Sequence, residues 1–112
     1  MRTQTRLAIV VVGLSALLSG MGVVPAKAGP APKTYNVAIK GFKFTPETLE
    51  VNAGDTVVWK NEDIVPHIVT ADAFHSKNLD QGESWTYQAK TKGDFHYICK
   101  YHPTMKAELI VH

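Results

Sequence analysis

Beyond residue 34 the apolar side chains of this chain recur at every second position, in short runs cut off by turn-forming residues. Tyr35, Val37 and Ile39 alternate with polar neighbours, and so do Leu49 and Val51. Val57 and Trp59 share one face of a further run, Trp85 and Tyr87 of another, and Phe95, Tyr97 and Cys99 of a third. Residues 68–70 and 107–111 supply two more extended segments. The interruptions are Asn52-Ala53-Gly54-Asp55, Gln81-Gly82 and Lys92-Gly93-Asp94. Successive side chains of a strand point to opposite faces, so each run offers one apolar face and needs a second layer to cover it. The pattern predicts an all-β sandwich or barrel. Residues 72–80 show no clear period and read as a loop with room for a short helical turn.

The N-terminal stretch follows a different rule. Arg2 and Arg6 precede an almost unbroken apolar run over residues 7–18, and Ala26-Lys27-Ala28 presents a small-x-small cleavage site. That is the layout of a secretory signal peptide over residues 1–28. A retained membrane anchor is the competing reading, since the apolar stretch extends to Val24, close to the minimum span. Cleavage after Ala28 leaves a flexible leader over residues 29–34, containing Gly29-Pro30-Ala31-Pro32, and one domain over residues 35–112. The expected compartment is the periplasm. Three of the 12 basic residues (Arg2, Arg6 and Lys27) leave with the signal, so nine face ten acidic ones. This near-neutral balance favours neither nucleic acid nor a membrane surface as a partner.

An exported domain of this size commonly leans on disulfides or a metal, and a chain with only one cysteine, Cys99, cannot form an internal disulfide. Cys99, His102 and Met105 follow each other at intervals of three in Cys99-Lys100-Tyr101-His102-Pro103-Thr104-Met105. A tight loop at a strand end turns all three toward one point. Thiolate and imidazole are strong copper ligands, and a thioether is a soft, weak one. Two His and one Cys in a trigonal set with a long axial Met define blue-copper electron-transfer centres. The second histidine is best supplied by His67, at the start of a short strand. His96 sits three residues before Cys99 on one strand, so alternation turns it away. His75 and His112 read as solvated surface residues. Singly, Cys99 could be an inert buried thiol, Met105 core filling and His102 a surface residue. Together they outweigh those readings. Zinc fits less well, because methionine is a poor zinc ligand and structural zinc sites usually hold more thiolates.

In these residues the chain resembles the cupredoxins, and within them the amicyanin and plastocyanin-like group. The resemblance runs from about Tyr35 to Val111. It is carried by Gly54-Asp55-Thr56-Val57-Val58-Trp59, by Asn61-Glu62-Asp63-Ile64-Val65-Pro66-His67, and by the 99–105 loop, whose spacing by threes is similar to that of amicyanin. It implies a Greek-key β-sandwich of about seven to eight short strands. It implies one copper ion, with His67, Cys99 and His102 as equatorial ligands and Met105 as the axial one. Asn61 would tie the His67 segment to the ligand loop, an outer contact of the kind that orients ligands. The chain departs from amicyanin at Lys100, Tyr101 and Thr104, which changes the loop surface and leaves the partner open.

The function expected is a non-enzymatic carrier that shuttles single electrons by Cu(II)/Cu(I) cycling, as a monomer. Its redox partners would be proteins such as a c-type cytochrome or a periplasmic dehydrogenase. They would dock transiently near His102 on an apolar collar including Val65, Pro66 and Pro103. The second reading is a copper-delivery protein using the same ligands. Trp59, Trp85, Phe95 and Tyr97 read as core rather than as an electron relay.

Overall fold

The structure is a computed structural model that describes residues 30–112. The signal segment expected over residues 1–28 lies outside the described residues. Residues 30–33 have no regular structure, and the first strand begins at Thr34, one residue earlier than the alternation suggests. Eight strands follow: β1 (Thr34–Ile39), β2 (Phe44–Thr45), β3 (Thr48–Val51), β4 (Thr56–Asn61), β5 (Val69–Thr70), β6 (Ser84–Gln88), β7 (Gly93–Cys99) and β8 (Lys106–Val111).

They form two four-stranded sheets, ordered β2-β1-β4-β6 and β3-β8-β7-β5. Both contain a parallel pair, β1 with β4 and β3 with β8, so each sheet joins segments far apart in sequence. The inner face of the first sheet carries Val37, Ile39, Val57 and Trp59, all buried, with Trp85 packed against them. The second contributes Val51, Val69, Tyr97, Cys99, Leu109 and Val111. These are the residues that the period-two pattern sends inward, and the chain is an all-β sandwich of eight strands.

Two parts of the core fall outside that pattern. Phe44, in the two-residue β2, is buried and meets Tyr97 edge-on at 4.8 Å between ring centres. Residues 72–80 form the expected loop without a helix, but the loop is pinned: Phe74, Ser76 and Leu79 are buried. The Ser76 hydroxyl accepts from Val69 N and donates to Lys77 O, both at 2.8 Å. A reciprocal backbone pair joins His67 to Leu79, at 3.1 and 2.9 Å. The loop thereby serves as the partner that holds His67 in place.

Candidate metal centre

Cys99 is the last residue of β7, paired with Val69 of β5 and facing the core with Tyr97. The chain then turns back into β8 through a compact loop. His102 N donates to Cys99 O at 3.1 Å, Met105 N to His102 O at 2.9 Å, and Cys99 N to Met105 O at 3.1 Å. Lys100 N donates to Ile68 O at 3.2 Å and staples the loop to the His67 segment. Each of the three loop residues at intervals of three is thus fixed by its own backbone.

His67 approaches from the other side, between β4 and β5, with a fully buried side chain. Its Nδ1 lies 3.4 Å from Cys99 Sγ, and His102 Nδ1 lies 3.6 Å from the same sulfur. The three ligand atoms all fall within 4.8 Å of one another. Three donors in a trigonal array, each about 2.0–2.3 Å from a central ion, stand about 3.5–3.8 Å apart. The distances to sulfur match that spacing, and the donors are two imidazoles and one thiol. Met105 is buried at the far end of the loop. This donor set is consistent with a type 1 copper site. His96, by contrast, is exposed and faces Glu108 at 3.4 Å, and His112 is exposed and bonded to Glu50 at 2.9 Å. His75 is exposed beside Thr70.

The outer contacts are richer than the sequence suggests. Asn61 is fully buried, and its amide nitrogen donates to Val65 O and Leu79 O, both at 2.8 Å, while its oxygen accepts from Asp63 N at 2.9 Å. Both N–H groups are therefore spent on the His67 and Leu79 segments. The contact to the ligand loop that the resemblance implies is not among its hydrogen bonds; Lys100 N reaches Ile68 O instead.

The sequence assigns no role to Asp63, beyond its place in the Asn61–His67 motif, or to Phe42. Asp63 Oδ2 lies 2.9 Å from His67 Nε2. A carboxylate can only accept, so the imidazole proton sits on Nε2 and the Nδ1 lone pair is left facing Cys99. Burial pushes the Asp63 carboxyl up, but amide donors at Phe42 and Gly41, together with His67, outweigh it and hold the group below the usual carboxylate range. Phe42 lays its ring edge-on against both His67 and His102. The only sequence hint was a carboxylate four residues before the histidine.

Around the site the residues of the expected collar differ in exposure. Pro66 and Pro103 are exposed and Val65 is half-buried. The exposed large apolar residues among those described are Phe42, Ile64 and Tyr101, at 49%, 84% and 49%. Ile64 lies between Asp63 and Val65, and Tyr101 adjoins His102, so all three flank the histidine pair in sequence or in space.

A family model described as the cupredoxin-like domain matches residues 8–111. Amicyanin from Paracoccus versutus is 29% identical over 82 residues, which is 67% of this chain and 62% of that protein. Chloroplastic plastocyanin from Tetradesmus obliquus is 39% identical over 72 residues, covering 53% of this chain and 50% of its own length. The chain thus spans only about half to three-fifths of these two relatives. A solved structure of an oxidised amicyanin variant superposes with a TM-score of 0.67 at 25% identity, over 70% of this chain and 81% of the other.

Proposed function

The chain belongs to the cupredoxin-like family, and from that premise we propose that it is an exported type 1 copper protein that shuttles single electrons between redox proteins. The observation that carries the reading is the buried Cys99 sulfur flanked by two imidazole Nδ1 atoms at 3.4 and 3.6 Å. In this reading His67, Cys99 and His102 are the equatorial ligands and Met105 the axial one. Copper supplies the one-electron couple when bound. The protein's own residues supply the rest: a hydrogen-bonded loop holds Cys99, His102 and Met105, and Asp63 and Leu79 hold His67. A frame of this kind changes little when the charge at its centre changes.

His67 and Cys99 are buried whereas His102 is only half-buried, so the His102 ring edge is the route for electrons to and from a partner. Phe42, Ile64 and Tyr101, with Pro66 and Pro103, form the apolar rim on which a c-type cytochrome or a periplasmic dehydrogenase would dock. Small weak contacts suit transient redox encounters. The protein works as a carrier and not as an enzyme, in the periplasm, as a monomer after cleavage of residues 1–28. A copper-delivery role with the same ligands is the second reading. It is disfavoured because Met105 is the only methionine past residue 21, and delivery sites tend to gather several soft ligands in the open.

The deciding experiment is the visible spectrum of the purified protein after Cu(II) addition, beside Cys99→Ser. An intense blue band that Cys99→Ser abolishes is the expected result, because it reports thiolate-to-copper charge transfer. A colourless protein that takes up only Cu(I) would favour delivery. Absence of copper binding in either state would overturn the site.

A further inference from the structure

Phe42 sits where a phenylalanine should not. Lys40 and Lys43 close a two-residue hairpin between β1 and β2 by reciprocal backbone bonds of 3.0 and 3.2 Å. Its central residues, Gly41 and Phe42, have φ of 63° and 59°. Two-residue turns with both φ positive favour Asn-Gly and Gly-Gly, and a bulky residue such as phenylalanine is strained there. The Phe42 side chain does not repay this by filling the core, since it is 49% exposed. What it does touch is the histidine pair. Its ring stands at 87° to His67 and 90° to His102, with ring centres 5.5 and 4.9 Å away. Edge-to-face contacts of this type are favourable and directional.

The turn is held from below by one side chain. Asp63 Oδ1 accepts from Gly41 N at 2.8 Å, and its Oδ2 accepts from Phe42 N at 3.0 Å. The same Oδ2 accepts from His67 Nε2 at 2.9 Å. One carboxylate therefore stabilises a strained turn and orients a buried ligand. Asp63 is itself fixed, because its own amide donates to Asn61 Oδ1. A backbone outlier maintained by specific contacts, next to a reactive centre, is where strain commonly serves a function.

We propose that Asp63 and Phe42 act as a positioning clamp on the two histidines. Asp63 fixes the tautomer and orientation of His67 and, through the Gly41 and Phe42 amides, sets the Phe42 ring across His67 and His102. This inference rests on the copper reading for its redox consequence, but the clamp itself is a property of the polypeptide. The carboxylate also places negative charge one imidazole away from the ligand atom, which favours Cu(II) over Cu(I).

The test uses Asp63→Asn, Asp63→Ala and Phe42→Gly in the purified protein, with two independent readouts. In the metal-free protein, the His67 Nε2–H proton is expected to exchange slowly by NMR, to lose that protection in Asp63→Ala, and to keep it in Phe42→Gly. In the copper protein, Asp63→Asn should raise the midpoint potential. Phe42→Gly should relieve the strained φ, leave thermal stability equal or higher, and still speed copper loss to a chelator several-fold. A ring that merely packed would give no such split between stability and metal retention. If the blue band never forms, the copper reading fails while the proton-exchange result still judges the clamp. If it forms but potential, exchange protection and chelator kinetics all stay at wild-type values, the clamp is overturned and the copper reading stands.

Discussion

Trp59 Nε1–H donates to the Tyr97 hydroxyl across 3.2 Å, and this one bond joins the middle of the first sheet to the middle of the second. Burial pushes the Tyr97 hydroxyl up to about 12, only partly opposed by the Trp59 hydrogen bond. In the unfolded chain a tyrosine ionises near its ordinary value of 10.0. Between these two values the unfolded state binds fewer protons than the folded one, so stability is intact below pH 10 and is lost as pH rises toward 12. The slope is at most about 1.4 kcal/mol per pH unit. Tyr97→Phe should remove this component of the alkaline decline and cost about 1 kcal/mol at neutral pH, since it leaves the indole N–H buried without a partner. Denaturant titrations at several alkaline pH values check it, and equal slopes for wild type and variant would reject it.

Asp55 predicts the acid side. Its carboxylate accepts from Asn52 N and Lys33 N, both at 2.8 Å, closing the turn before β4 and tying down the start of β1. Those amides, Asn52 first and then Lys33, lower its pKa below the ordinary 3.8. The folded state thus binds fewer protons than the unfolded one near that value. The contribution is present at and above neutrality and is lost as pH falls below about 4. Asp55→Ala should lower the melting temperature at pH 7 and leave a much smaller difference at pH 3, as read by thermal scans at both.

Asn61→Ala removes three hydrogen bonds at once: Val65 O and Asp63 N lose their Asn61 partner, while Leu79 O keeps only the His67 amide. A destabilisation of about 2–4 kcal/mol is expected. The denaturant midpoint measures it, and a loss below about 0.5 kcal/mol would show that these groups find water.

Burial separates the two histidines. His102→Gly opens a half-buried position, and added imidazole should restore the blue colour of the copper protein. His67→Gly empties a fully buried one between Asp63 and Leu79, and the same imidazole concentration should restore little. Equal recovery in both variants would contradict the burial difference.

Ile64 is the most exposed large apolar residue on the rim. Ile64→Lys should slow electron exchange with a protein partner while leaving the visible spectrum and copper content unchanged. Stopped-flow rates with a c-type cytochrome would show this, and an unchanged rate would remove Ile64 from the docking surface.

The sandwich was legible because alternation is a local signal. Val37, Ile39, Val57, Trp59, Tyr97 and Cys99 face inward as their positions in the runs require. The grouping of Cys99 and His102 was legible because both lie in one loop. His67 was reached by eliminating the other histidines, helped by its place near a strand. Phe44, Phe74 and Leu79 escaped because two-residue strands and irregular loops carry no period, and their burial is decided by what folds over them. Asp63 and Phe42 escaped for a related reason. Their contact joins residues 21 positions apart through backbone amides, and an amide carries no sequence identity.

The arrangement of half-buried His102 beside buried His67 and Cys99 has a consequence for traffic. A molecule with one doorway cannot receive from one visitor while handing on to another. In the carrier role proposed above, donor and acceptor would compete for the same threshold, and the protein would have to leave the first before serving the second. Its throughput is then limited by how quickly it lets go, which rewards a rim that grips loosely.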